Sequence, residues 1–491
     1  MSKFENNNIA LLKGKVIGGM ISLVAREVGM KVLSVIGQLF LVHLLSPENF
    51  GIFAVLTFIV TTLDFLLDLG LTQGVIQNRH KISQEQFSTI FYLKLFSSFF
   101  LFILFVISAP LLKIIYPQLT NDHIFMIRLL SIIFLMRPLQ STITSMLDRN
   151  LDYKLIARID ILGISTYYLV AVFLSVLHFQ VWALVLAIIS KEIIETITAF
   201  TIKRWQPSFT FSLKKIHGMI NFGFYSQLGS LLFLLHTSVI PLVGGMRFSP
   251  YSLGLLDWSW GIALLPNALS DNFGRVALSG MSRIQERREL VVKAINKSVV
   301  FLNIISFIFP VIVLSFGYEI IFFIFSDKWL PALPALTVFS IGTIFMGGNI
   351  AVGHGLLAVG RVKVQTIVFG ILTLLEIAVA IIFSSYFGII GISYAFLIHA
   401  FALFIAYYII GYLSGMKLSL AHPYLGPFAT ILLTYFFNLI LNSLLSSNII
   451  FFVLKLVFAT IFYSICTFVF TNAEARELIG LFINSRKGKK L

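Results

Sequence analysis

Leu45-Ser46-Pro47-Glu48-Asn49-Phe50-Gly51-Ile52-Phe53 joins two apolar runs near the start of the chain, and Phe248-Ser249-Pro250-Tyr251-Ser252-Leu253-Gly254-Leu255-Leu256 joins two others in its second half. Both read S-P-x-x-apolar-G. Each is a helix restart: Ser caps free amides, Pro takes the first helical position where it has no amide to lose, and Gly lets a neighbouring backbone approach. A weaker echo follows, with Phe179-Gln180-Val181-Trp182-Ala183-Leu184 opening the sixth apolar run and Gly391-Ile392-Ser393-Tyr394-Ala395-Phe396 the twelfth. The spacing predicts two six-helix halves. Six is even, so the halves share an orientation and are related by an axis along the membrane normal.

The runs themselves set the class. Of 491 residues 58% are hydrophobic and 12% charged, and the mean hydropathy is +0.95, more apolar surface than a water-soluble core requires. A bilayer core about 30 Å thick needs roughly 20 apolar residues per helix. Such runs fall near 16–44, 50–76, 87–112, 123–146, 156–177, 181–202, 218–245, 250–275, 293–316, 332–358, 364–386, 390–413, 424–445 and 449–470. The expected fold is therefore an all-α polytopic membrane protein of about fourteen spans. Two six-helix halves, 1–213 and 214–416, would leave a central cleft between them, and 417–491 would add two C-terminal helices and a basic tail.

Charge alternates between successive connections. One set carries Arg79, Lys81, Arg149, Lys154, Lys203, Arg204, Lys214, Lys215, Arg283, Arg287, Arg288, Lys293, Arg361, Lys363 and Lys417; the other holds little beyond Lys113, Arg247 and Lys328. The positive-inside rule puts the first set in the cytoplasm, with Lys3, Lys13, Lys15 and the Arg486-Lys487-Gly488-Lys489-Lys490 tail on the same side. The net charge of +15 is thus topological and predicts no nucleic-acid partner. The N-terminal run is interrupted by Arg26, Glu27 and Lys31 and lacks a small-residue cleavage site, unlike a removable signal.

Catalytic classes find no support. The outer connections are short, the nine His are isolated, and no G-x-x-x-x-G-K-[ST] loop is present to power an ATPase. The lone Cys466 makes no internal disulfide, and neither a metal nor a cofactor is expected. Gly347, Gly348, Gly353 and Gly355 lie inside one run and read as close helix packing or a bend.

Three stretches carry a family likeness: Leu44-Leu45-Ser46-Pro47-Glu48-Asn49-Phe50-Gly51, Asp68-Leu69-Gly70-Leu71-Thr72-Gln73-Gly74-Val75-Ile76-Gln77 and Asp148-Arg149-Asn150-Leu151-Asp152-Tyr153-Lys154. In this order the chain resembles the polysaccharide flippases of the multidrug/oligosaccharidyl-lipid/polysaccharide exporter superfamily, particularly the Wzx-type and colanic-acid-exporter-like branch. The resemblance is best over the first 200 residues. It implies a V-shaped pair of six-helix lobes around a central cavity that moves an undecaprenyl-pyrophosphate-linked oligosaccharide across the cytoplasmic membrane by alternating access, in a pathway that also uses a polysaccharide polymerase and chain-length machinery. Two readings stand beside it: a small-molecule or drug antiporter of the same architecture, and a membrane glycan polymerase or acyltransferase, which the short outer loops disfavour.

Each ionisable group at a helix centre costs about 2.5–3.5 kcal/mol on insertion scales, so such residues face a partner or a wet cavity. Arg26, Lys31, Lys94, Arg128 and Arg137 are set against Asp64 and Asp68 in the first half. That balance predicts a basic cavity suited to pyrophosphate, with Arg26 paired to Asp64 and with Arg26 and Arg137 on the substrate. A drug exporter would instead place acids without matching bases. Glu27 with Lys31, and Lys191 with Glu195, have the i,i+4 spacing of local ion pairs. Arg128 and Lys455 read as snorkelling residues. Asp257 and Asp271 flank Pro266, which marks a bend, and Asp257 is counted with Arg26, Lys31, Asp64, Asp68, Lys94 and Arg137 as a substrate-binding cavity residue. Glu376 and His399 share a depth on adjacent spans, where they form either a proton-sensitive pair or a satisfied buried hydrogen bond.

Overall fold

Helix α4, Gln84–Ser108, shows what kind of solvent the chain is built for. Phe96, Phe100, Ile103 and Ile107, spaced 4, 3 and 4 apart, form an exposed stripe, whereas Lys94 and Ser98 are buried. A helix that turns Phe outward and Lys inward is surrounded by hydrocarbon. The computed structural model describes residues 26–68, 70–77, 82–445 and 448–471, and among them there are helices and no strands. Lys3, Lys13, Lys15, Arg79, Lys81 and the tail from Arg486 lie outside the described residues, as does the side chain of Asp271.

The first unit, Met1–Gly254, holds α1 (Arg26–Leu44), α2 (Pro47–Asp68), the short α3 (Leu71–Gln77), α4, α5 (Asn121–Leu130), α6 (Ile133–Arg149), α7 (Tyr153–Val176), α8 (Val181–Ile202) and α9 (His217–Thr237). The second, Leu255–Leu491, holds most of α10 (Pro250–Ala263), then α11 (Asn267–Arg283), α12 (Arg288–Ile320), α13 (Leu333–Gly342), α14 (Met346–Ala358), α15 (Val362–Phe387), α16 (Ile390–Leu413), α17 (Ala421–Leu444) and α18 (Ile449–Phe470). Eleven helices among the described residues are long and apolar enough to span a bilayer, and twelve if Gly229–Thr237 and Ile240–Arg247, bent by 50°, count as one span. The other two expected spans are helical but differ in kind. α8 carries Lys191, Glu192 and Glu195 along its length, and 250–275 is interrupted at Pro266 between α10 and α11.

Local sequence explains where helices start. Ser83 opens α4 with a capping box: its Oγ accepts from the Gln86 amide, and the Gln86 side chain accepts from the Ser83 amide. Thr120 and His123 do the same for α5. Ser249 accepts from the Ser252 amide ahead of α10. The two S-P-x-x-apolar-G turns pack reciprocally within the first unit: a Cβ on Gly51 would overlap the Pro250 carbonyl oxygen, and one on Gly254 the Pro47 carbonyl oxygen. Glycine is required at both places because backbone meets backbone.

The connection between α8 and α9 is clasped onto the start of α4. Trp205 Nε1 donates to Gln84 Oε1 (2.8 Å), Gln84 Nε2 to the Gln206 carbonyl (2.6 Å), the Ser208 amide to Ser88 Oγ (2.9 Å) and the Ser212 amide to Thr89 Oγ1 (3.1 Å). Lys215 pairs with Glu85. In the second unit Val291, Ile295, Val299 and Leu302 of α12 pack on Ala351, Val352 and Leu356 of α14. Gly347 and Gly355 serve close packing there, against Asn303 and Ile295.

Candidate functional site

A cavity of about 380 Å³ opens within the first unit, lined by α2, α3, α4, α6 and α9. Four of the residues singled out from sequence meet in it: Asp64, Asp68, Lys94 and Arg137. The break after α2 shapes one wall. Gly70 turns the chain at φ +68°, and a Cβ there would overlap the Gly223 carbonyl of α9, so α3 lies tight on α9. That turn presents Asp68 and Thr72 to α4. Lys94, 5% exposed, donates to Asp68 Oδ1 (2.5 Å), Thr72 Oγ1 (2.8 Å) and, more distantly, Ser141 Oγ (3.4 Å), while Thr72 Oγ1 donates to Asp68 Oδ1 (2.6 Å). All three protons of the ammonium find oxygen acceptors, as a buried lysine head group requires.

Arg137 sits at the other end of the cavity. Its Nη2 donates to Glu192 Oε1 (2.8 Å) and its Nη1 approaches Asp64 Oδ2 (3.5 Å). Glu192 is fully buried and is shared with Lys191 (3.3 Å), which also pairs with Glu195 (3.2 Å); Gln140 donates to Glu195 (2.9 Å). The guanidinium is thus held from behind by a sealed carboxylate, yet the Arg137 side chain remains 39% exposed. The geometry allows a ligand to reach the fork without first breaking the Glu192 contact.

Two expectations are corrected here. Arg26 pairs with Asp160 of α7, Nε to Oδ2 at 2.6 Å, rather than with Asp64. The reason is packing: a Cβ on Gly37 would meet the Tyr168 ring, so α1 lies along α7. Its neighbour at the depth of Arg26 is therefore the fifth span, not the second. The basic cavity is also not observed. Asp64 and Asp68 balance Lys94 and Arg137 in the lining, and Glu192 adds a further acid behind it. Lys31 is exposed on α1 and does not line the cavity.

In the second unit Asp257 is half-buried on α10, and His399 Nδ1 lies 3.2 Å from Glu376 Oε2 with both side chains buried. Lys455 does not snorkel. It is 1% exposed and pairs with Glu319 of α12 at 3.3 Å, because α18 packs its face against α12. Arg128 donates Nε to the Val106 carbonyl (3.0 Å). Sequence reasoning missed Glu192, Asp160 and Glu319. Glu192 carried a signal, since it sits beside Lys191 and three residues before Glu195 on an otherwise apolar helix.

A family model described as "Polysaccharide biosynthesis protein" matches residues 40–334. The chain belongs to that family. Among its relatives, an uncharacterized membrane protein in the cps region of Klebsiella pneumoniae is 23% identical over 92% of this chain and 94% of its own. The teichuronic acid biosynthesis protein TuaB of Bacillus subtilis (strain 168) is 25% identical over 60% of this chain and 61% of its own. The lipopolysaccharide biosynthesis protein WzxC of Escherichia coli (strain K12) is 22% identical over 73% of each. Among solved structures, the lipid II flippase MurJ in an inward closed conformation superposes with a TM-score of 0.74 at 17% identity, covering 94% of this chain and all of MurJ. An inward-facing multidrug resistance MATE family transporter reaches 0.58 at 14% identity, covering 79% of this chain and 95% of its own. The fold is that of polytopic membrane transporters.

Proposed function

We propose that this protein translocates an undecaprenyl-pyrophosphate-linked oligosaccharide across the cytoplasmic membrane by alternating access, as a secondary transporter and not an enzyme. The observation that carries the reading is the pairing of family membership with a membrane-depth cavity whose Arg137 is anchored by buried Glu192 yet open to a ligand. Relatives named for teichuronic acid and lipopolysaccharide biosynthesis, and the fold shared with a lipid II flippase, support the substrate class. Arg137 and Lys94 supply the cationic contacts for a pyrophosphate. Asp64 and Asp68 are their counter-charges in the empty carrier and are exchanged for substrate oxygens on loading. Arg26, occupied by Asp160 and absent from the lining, has a structural part in this scheme. Both termini lie in the cytoplasm, and a polymerase with its chain-length partner receives the product.

Reconstitution tests this. In proteoliposomes loaded with the lipid-linked oligosaccharide, the wild type makes the glycan accessible on the far side with its covalent structure unchanged. Arg137→Ala abolishes that transfer at equal protein level, and Arg137→Lys restores it only in part, since a point charge does not reproduce a bidentate fork. Full transfer by Arg137→Ala, or a chemically altered glycan, overturns the proposal. Topology has its own check: a Cys at 285 must be shielded from an impermeant reagent in intact cells while one at 120 reacts.

A further inference from the structure

A second cavity, about 560 Å³, lies where three turns of the first unit converge: α1 to α2, the start of α5, and α7 to α8. All three belong to the set of connections poor in Lys and Arg, and the cavity lining itself contains neither residue. It carries Glu48, Asp122, His123, His178, Phe179 and Trp182, with Asn49 and Ser175 deeper.

Three features indicate a ligand. Ser175 is 2% exposed, and its hydroxyl has no hydrogen-bond partner among the described residues. A buried hydroxyl left without a partner is uncommon. Trp182 is fixed by its Nε1 donating to Asp122 Oδ2 (3.2 Å), which orients an indole at the wall. His123 accepts at Nδ1 from the Thr120 amide (3.2 Å), so its Nε2 carries the proton and is a donor. The turn between α7 and α8 also holds two non-glycine residues at positive φ, His178 at 62° and Gln180 at 51°. Such strain persists where surrounding structure enforces it, often at ligand sites.

The chemistry selects the ligand class. Without Lys or Arg the cavity does not take pyrophosphate, and carboxylates at Glu48 and Asp122 repel anions. Its acids and histidines are not gathered into a metal-sized cluster: the group of described residues with that spacing lies elsewhere. What remains is an aromatic wall with separated acceptors and donors, in a volume within the roughly 300–1,000 Å³ typical of small-ligand sites. Apolar ring faces and hydroxyl-directed polar groups are the complement of a pyranose.

We propose that this cavity is a carbohydrate subsite for the glycan of the lipid-linked substrate, on the side opposite the basic connections. Trp182 and Phe179 stack on sugar ring faces, Asp122 and Glu48 accept sugar hydroxyls, and His123 and Ser175 complete the hydrogen bonding. This rests on the flippase reading, but its test does not need transport. The full chain is purified into nanodiscs, and the probe is the water-soluble oligosaccharide released by mild acid from the cell's own lipid-linked intermediate. Binding is read by saturation-transfer NMR and by tryptophan fluorescence. The wild type binds saturably, Asp122→Asn and Trp182→Phe weaken binding at least tenfold, and Arg137→Ala binds like wild type although it fails to transport. Asp122 is exposed and its replacement isosteric, so that variant folds. Undiminished binding by both cavity variants, loss of binding in Arg137→Ala, or calcium alone saturating the site in competition with the glycan overturns the subsite. Absence of transport in the wild type with cavity-dependent glycan binding intact would refute the flippase reading alone.

Discussion

Replacing Lys94 by Met removes one ammonium and strands one carboxylate. Lys94 is 5% exposed and contacts Asp68, Thr72 and Ser141; after the change Asp68 keeps its hydrogen bonds to the Thr72 hydroxyl and backbone but has lost its counter-charge. Removing one partner of a fully buried ion pair costs about 3–5 kcal/mol. Because the Asp68 side chain is 31% exposed, solvent screens part of the loss, and we expect about 2 kcal/mol. At about 2–4 °C per kcal/mol for a unit of this size, the thermal midpoint falls by about 4–8 °C. Fluorescence-detected size exclusion of heated, detergent-solubilised protein measures it. Asp68→Asn removes the stranded charge, so the double variant recovers to within about 3 °C of wild type, a coupling of at least about 1 kcal/mol. A midpoint unchanged in Lys94→Met, or a double variant that loses the sum of the single losses, would show that the pair does not hold α2 to α4.

The same assay reads three other expectations. Lys455→Met lowers the midpoint by the equivalent of about 3 kcal/mol, and Glu319→Gln added to it restores most of the loss, because both groups are buried; additive losses refute the pair. Arg26→Gln and Asp160→Asn are non-additive with each other, whereas Arg26→Gln and Asp64→Asn simply add; the reverse pattern would reinstate Arg26 beside Asp64. Gly70→Ala, which needs positive φ and collides with the Gly223 carbonyl, loses most of its folded yield, and normal yield would mean that α3 can leave α9.

What was legible in the sequence was what depends on neighbours along the chain. Apolar runs of bilayer length showed where the helices are, because lipid imposes one length on every span. Lys191 and Glu195 were readable as a pair because they are one helical turn apart. Ser-Pro and Gly at the restart turns were readable as a repeat, and the two copies prove to touch. Arg26 was not readable in the same way. Its partner is set by which span α1 packs against, and no local pattern encodes that. Lys455 failed for the same reason, its partner Glu319 being 136 positions away. The balance of the cavity followed from these errors: two bases counted into it, Arg26 and Lys31, do not line it, and the acid behind Arg137 was hidden in an apolar helix.

The clasp of the α8–α9 connection on α4 has a practical consequence for imaging. Phe209 is fully exposed, and anchors on either side of it, Ser208 to Ser88 and Ser212 to Thr89, fasten the chain to the helix beneath. A chain of 55.2 kDa that is mostly embedded in detergent or lipid offers few landmarks for aligning single-particle images. A short rigid epitope inserted at Phe209 would project into solvent while staying fixed to the first unit, so an antibody fragment bound there would serve as a fiducial whose tilt reports the orientation of that unit.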